Sequence, residues 1–210
     1  MREREPIDEA LRRFLDEQAA ARGAAARTDE ERVRMRRALI VRALQSRVSI
    51  PGLPNGVKTR EVAIAEGLSG RLYIPSGAGE PLPVLVYLHG GGWVVGSVAT
   101  HDPFCRLLSE AAGLIVVSIE YRLAPEHPYP AAVEDTLAAM HWVAGHAAEW
   151  GGDAGRLAIG GDSAGANLAA VAANRLCAAA NGRCAGGVRD RALLPLSFRI
   201  LRCIDFSDDL

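Results

Sequence analysis

Several things are scarce in this 210-residue chain. Lys58 is its only lysine, so arginine carries nearly all the positive charge. The formal net charge is −1, and no overall field draws the chain to nucleic acid or to an anionic membrane. No apolar run is long enough to span a bilayer, and Met1-Arg2-Glu3-Arg4-Glu5 lacks the apolar core of a signal peptide. The four cysteines, Cys105, Cys177, Cys184 and Cys203, show no C-x-x-C spacing, so neither a zinc site nor a disulfide framework is indicated. A soluble cytoplasmic protein with free thiols, no metal and no cofactor is the expectation. Histidine is short in one place only. All five, His89, His101, His127, His141 and His146, come before residue 147.

What is present is glycine in clusters and apolar residues in short runs. Pro6 opens a helical pattern over 7–22, and Thr28-Asp29-Glu30-Glu31 is a capping box for a second helix to about Ser46. The arginines of that second helix lack interleaved aromatics, which favours a solvated face over a nucleic-acid surface. Pro51 to Gly56 breaks the helical preface. Val57–Ala65 and Leu68–Ile74 then read as a strand pair with a turn at Glu66-Gly67. Val84–Leu88 and Leu114–Ile119 are unbroken apolar runs, the mark of strands buried on both faces of a parallel sheet. Helices are expected over 102–112 and 131–150. Strands alternating with helices indicate an α/β sheet covered on both faces.

Leu157-Ala158-Ile159 leads into Gly160-Gly161-Asp162-Ser163-Ala164-Gly165, followed by an alanine-rich helical stretch to about Ala180. Strand, G-x-S-x-G, helix is the pattern of a nucleophile elbow. A serine hydroxyl attacks a carbonyl carbon only if it projects clear of the backbone, and a sharp strand-to-helix turn projects it. Gly161 and Gly165 have no Cβ to block the crossing of strand and helix, and the small Ala164 leaves its N–H free. Alone, this also describes an ordinary glycine-rich βα turn. The decisive partner lies upstream, where His89-Gly90-Gly91-Gly92-Trp93 follows Val84–Leu88 at the carboxyl end of a strand, where parallel sheets place ligands.

These two motifs, with Tyr121-Arg122-Leu123-Ala124-Pro125-Glu126-His127-Pro128-Tyr129-Pro130-Ala131-Ala132 between them, resemble the hormone-sensitive-lipase-like carboxylesterases. The resemblance covers about residues 1–175. It implies an α/β-hydrolase fold, a mostly parallel sheet with helices on both faces and an N-terminal helical cap. It implies three segments: cap helices 1–50, a core 51–180 and a divergent tail 181–210. It also implies a hydrolase of the EC 3.1.1 class acting on a small-molecule ester. Ser163 would be the nucleophile, with the N–H groups of Gly91, Gly92 and Ala164 as the oxyanion hole. His89 would anchor the glycine loop rather than act as base, and Gly90, Gly161, Asp162 and Gly165 would support the two motifs. The Tyr121–Ala132 segment would be scaffold, and residues 7–46 a partial lid over the carboxyl edge of the sheet.

The family's order of triad residues is Ser, then Asp or Glu, then His. No histidine follows Ser163, and Asp190, Asp205, Asp208 and Asp209 lie in no family acid motif. Three readings follow, in this order: an esterase truncated or shifted in frame near 175–203, and so weak or inactive; a non-catalytic ligand-binding homologue; and a short enzyme using an upstream histidine. Leu196–Phe206 reads as at most one further strand, which would leave an open sheet edge prone to self-association.

Overall fold

The computed structural model describes Arg13, Glu31, 33–35, 37, 38, 53–77, 79, 81–179 and 198–202. The chain divides into two compact units, Met1–Leu39 and Ile40–Leu210. In the first, the described residues are helical. The expected lid lies mostly outside the described residues.

The second unit is built on a six-stranded sheet in the order β1-β2-β4-β3-β5-β6. The strands are β1 (Lys58–Ala65), β2 (Leu68–Ile74), β3 (Leu82–Leu88), β4 (Ile115–Glu120), β5 (Gly152–Asp162) and β6 (Phe198–Arg202). The helices are α1 (Val98–Ala112), α2 (Ala131–His146), with a 3-10 turn at Ala147–Trp150, and α3 (Ala164–Ala179). β1 and β2 form the expected hairpin, with Gly67 at φ 72° in its turn.

The parallel character is concentrated in β3, β4 and β5: β3 and β4 hold the two runs that read as buried, and β5 holds Leu157–Ile159. β2 joins β4 antiparallel, and so does β6 against β5, making the sheet mixed. The strand anticipated within Leu196–Phe206 is shorter, Phe198–Arg202, and it lies at the edge of the sheet.

Alternation along β3 assigns the two faces. Val84, Val86 and Leu88 join Leu157, Ile159 and residues of α2 and α3 in the larger core cluster. Tyr87 points the other way, into a smaller cluster with Tyr73, Val116 and Cys105 of α1. Helices therefore cover both faces, as expected.

Helix α1 starts four residues earlier than the 102–112 expected. Ser97 caps it with a reciprocal box: Thr100 N–H donates to Ser97 Oγ, and Ser97 N–H donates to Thr100 Oγ1. The carboxylate of Glu120, at the end of β4, also accepts from Val98 N–H at 2.8 Å. Pro103 is the sixth residue of this helix rather than its start. Its far end is closed by Gly113 in the left-handed region, φ 61°.

Cys105 is free and buried, and burial pushes its thiol up to about 12. Cys177 is disulfide-bonded, which corrects the expectation of free thiols throughout. Among the described residues no helix is long and apolar enough to cross a membrane, and no cluster of side chains could hold a metal ion.

Candidate active site

In the β3–β5 pairing, Leu88 is aligned with Gly161. The residues that follow each, His89-Gly90-Gly91-Gly92 and Asp162-Ser163-Ala164, therefore leave neighbouring parallel strands at the same level and in the same direction. Both sequence motifs meet at the carboxyl end of the sheet.

Ser163 sits between β5 and α3 at φ 49°, a left-handed conformation that costs a non-glycine residue about 1–3 kcal/mol. It is exposed. Its carbonyl accepts from Asn167 N–H at 3.1 Å, closing the first turn of α3. The next N–H groups, beginning with that of Ala164, head the helix and have no partner within it. The crossing is tight because glycines permit it. A Cβ on Gly165 would lie 1.9 Å from Leu88 O, and one on Gly161 2.2 Å from the same atom.

The glycine loop is held peptide by peptide. Tyr121 Oη donates to His89 O at 2.7 Å. A trans peptide sends its N–H the opposite way, and Gly90 N–H donates to Asp162 Oδ1 at 2.8 Å. Gly90 O accepts from His89 Nδ1 at 2.9 Å, which leaves Gly91 N–H facing away from the His89 ring. Gly91 O accepts from Val94 and Val95 N–H at 3.2 and 3.0 Å, which turns Gly92 N–H outward from that bend. Gly91 and Gly92, with φ of 132° and 62°, follow paths that a side chain resists.

His89 is fully buried and stacks on Tyr121 with ring centroids 4.3 Å apart. Burial pulls its pKa down to about 4, so it stays neutral. Its Nδ1 must then carry the proton, because Gly90 O can only accept. Nε2 is buried without a hydrogen-bond partner. The ring is thus tied to a carbonyl of its own loop and shut off from solvent.

Asp162 was singled out only as motif support, yet it ties the two motifs together. Its Oδ1 accepts from Gly90 N–H and from Tyr87 Oη at 2.7 Å, and lies 3.4 Å from His101 Nε2. Burial raises its pKa, but the hydrogen bonds from His101 and Tyr87 outweigh burial and hold it below the usual carboxylate range. The phenol of Tyr87 is pushed well above its ordinary value by burial first and by Asp162 second. Tyr87, His101, Tyr121 and Gly96 were not anticipated as site residues. The signal for Gly96 was weak, since only the structure shows that a Cβ there would meet Gly90 O at 2.3 Å.

Next to the loop lies a cavity of about 410 Å³, whose lining includes Gly92, Trp93, His127, Tyr129, Asn167 and Val171. Ser163 is not among its lining residues; Gly92 belongs to the glycine loop, and Asn167 lies one helical turn past the serine. The segment read as scaffold thus also supplies a wall. It is itself fixed by Arg122, whose backbone N–H and guanidinium both donate to the Asp135 carboxylate at 2.7–3.0 Å.

A family model described as alpha/beta hydrolase fold matches residues 85–194, just over half of the chain. Carboxylesterase NlhH of Mycobacterium tuberculosis is 55% identical over 103 residues, 49% of this chain and 32% of that protein. Esterase LipI of the same organism is 46% identical over 143 residues, 64% of this chain and 45% of its own length. The structure of an esterase from Pyrobaculum calidifontis superposes with a TM-score of 0.68 at 39% identity, covering 83% of this chain and 55% of that one. The chain spans about a third of the first relative and under half of the second. The match begins in β3 and runs through both glycine motifs, and the chain belongs to the α/β-hydrolase family, in its hormone-sensitive-lipase-like carboxylesterase branch.

Proposed function

We propose that this chain carries the nucleophile and oxyanion half of a serine carboxylic-ester hydrolase. One observation carries the reading: the left-handed Ser163 stands at the head of α3, directly beside a glycine loop that leaves the neighbouring strand at the same level. Ser163 Oγ would attack the ester carbonyl carbon as its proton passes to a base. The resulting oxyanion would rest on the N–H groups of Gly91, Gly92 and Ala164. Collapse expels the alcohol, which takes up a proton, and water then releases the acid from the acyl-serine. The cavity that shares Gly92 and is walled by Trp93 and Tyr129 offers an apolar place for part of a small ester. Residues 1–50 would serve as the cap and 51–180 as the catalytic core. The outer edge of β6 would be open to pairing with a second copy.

A second reading, a ligand-binding homologue without turnover, is favoured by the placement of the histidines. His89 is committed to Gly90 O, His141 to Leu137 O and His146 to Trp142 O.

The test is chemical capture. A short-chain alkyl p-nitrophenyl phosphonate transfers its phosphonyl group to an attacking serine Oγ and loses p-nitrophenolate. Peptide mass spectrometry should place the adduct on Ser163, with a matching carboxylic ester slowing its formation. An adduct spread over other serines, or unchanged in Ser163→Ala, overturns the nucleophile assignment.

A further inference from the structure

His101 lies directly behind the junction of the two motifs, against Asp162. It occupies the first turn of α1, the helix end fixed by the Ser97–Thr100 box and by Glu120. Its Nδ1 is 2.9 Å from Thr100 Oγ1. On the other side of the ring, Nε2 is 3.4 Å from Asp162 Oδ1, and the side chain is only 18% exposed. The ring stacks on His89 at 5.5 Å and tilts against Tyr87 at 6.2 Å.

The consequence lies at Gly90. Its N–H is held by Asp162 and its C=O by His89, so both peptides flanking its Cα are fixed from opposite sides. The direction of Gly91 N–H follows from that. Asp162 can hold Gly90 only while its own carboxylate keeps one rotation. Tyr87 Oη and His101 Nε2 fix that rotation from β3 and from α1. A side chain at Gly90 is excluded as well, since a Cβ would fall 2.0 Å from Asp162 Oδ2. Both carboxylate oxygens therefore lie against Gly90.

We infer that His101 is a positioning residue: by holding its Nε2 against Asp162 Oδ1 it fixes the carboxylate that orients Gly90, and through Gly90 the N–H groups of the glycine loop. The inference rests on Gly91 and Gly92 being the oxyanion donors, but its test does not depend on turnover.

Hydrogen exchange of the Gly90 amide, followed by NMR in the ¹⁵N-labelled 210-residue chain, reads the clamp directly. Three variants separate donation from packing. His101→Gln places an amide donor where Nε2 stood and removes the ring. His101→Phe keeps the ring and removes the donor. His101→Asn keeps a donor near the Thr100 side but does not reach Asp162. Exchange should quicken about tenfold in His101→Phe and in His101→Asn, the scale of a lost hydrogen bond to a charged group, and stay near the parent rate in His101→Gln. If His101→Gln quickens exchange while His101→Phe does not, the ring acts by packing and the inference fails. It also fails if no variant changes Gly90, or if all three do so equally. Phosphonate capture of Ser163 in the same samples reads the nucleophile assignment separately. Capture at another residue with an intact Gly90 response would overturn that assignment and leave the clamp standing.

Discussion

Gly90 N–H donates to Asp162 Oδ1 across 2.8 Å, joining the loop after β3 to the turn after β5. The same oxygen accepts from Tyr87 Oη. Asp162→Ala removes the carboxylate on which Gly90 N–H, Tyr87 Oη and His101 Nε2 converge, so it should cost about 3 kcal/mol in urea unfolding. Asp162→Asn keeps one oxygen in place and should cost about 1 kcal/mol. Equal losses in the two variants would mean that the carboxylate's hydrogen bonds are not what holds the junction.

Gly165 and Gly145 are both helical glycines and should respond in opposite directions. A Cβ at Gly165 would lie 1.9 and 2.6 Å from the O and C atoms of Leu88, backbone atoms that cannot move unless α3 parts from β3. Gly165→Ala should therefore cost about 3 kcal/mol or more, the upper range for overpacking. Gly145, near the end of α2, has nothing within 4 Å of its would-be Cβ. Gly145→Ala should gain about 0.5–1 kcal/mol from helix propensity. Thermal melts of the two variants against the parent decide it.

Ser163 holds φ at 49° for the sake of its position and not for stability. Glycine accepts that conformation without strain, whereas alanine does not. Ser163→Gly should be more stable than Ser163→Ala by about 1 kcal/mol, although neither can be captured by phosphonate. A lower midpoint for the glycine variant would show that the turn is not strained.

The sheet was legible because its central strands are unbroken apolar runs, and only strands buried on both faces need that composition. The elbow was legible because the glycines at 161 and 165 answer a steric demand at fixed spacing. Helix α1 was read four residues short: its cap is Ser97, and Pro103 lies inside it as the sixth residue. His101 and Tyr121 could not be found this way. Each acts through one hydrogen bond or ion pair across the fold, to Asp162 and to His89 O, and no local pattern encodes a partner dozens of residues away. The direction of β6 was equally hidden, since a short strand of mixed polarity pairs either way.

His89 should make stability fall with acid well above the carboxylate range. Burial lowers its folded pKa to about 4, while the unfolded chain titrates near the ordinary 6.5. Between those values the unfolded state binds more protons, so stability is lost as pH falls from about 6.5 to about 4. The full loss is about 3 kcal/mol, of which about 2 is reached at pH 5. Asp162 has the opposite charge type with a lowered folded pKa, so its contribution is present above its unfolded value and is lost below about pH 4. His89→Asn offers a donor near Gly90 O and does not titrate. Urea unfolding at pH 7 and pH 5 should show a difference in the parent that is smaller by about 2 kcal/mol in this variant. The same drop in both would place the titration elsewhere.

The hydrolytic activity of the 210 residues turns on where a base can come from. All five histidines precede Ser163 in sequence. His89 is buried and committed to Gly90 O, and His101 faces Asp162 behind the turn. The rings of His141 and His146 are bonded to carbonyls of α2, one turn back along their own helix. His127 alone among them lines the cavity that shares Gly92. A nucleophilic serine without a base in hydrogen-bond reach keeps only what binding and the oxyanion donors supply. Turnover of p-nitrophenyl butyrate by this chain should therefore sit near the buffer rate, and Ser163→Ala should change it less than about tenfold. Phosphonate capture should still occur, slowly, on Ser163. Robust hydrolysis that vanishes in Ser163→Ala would overturn this expectation. The next measurement would then be His127→Ala, whose loss of activity with intact folding would identify the base.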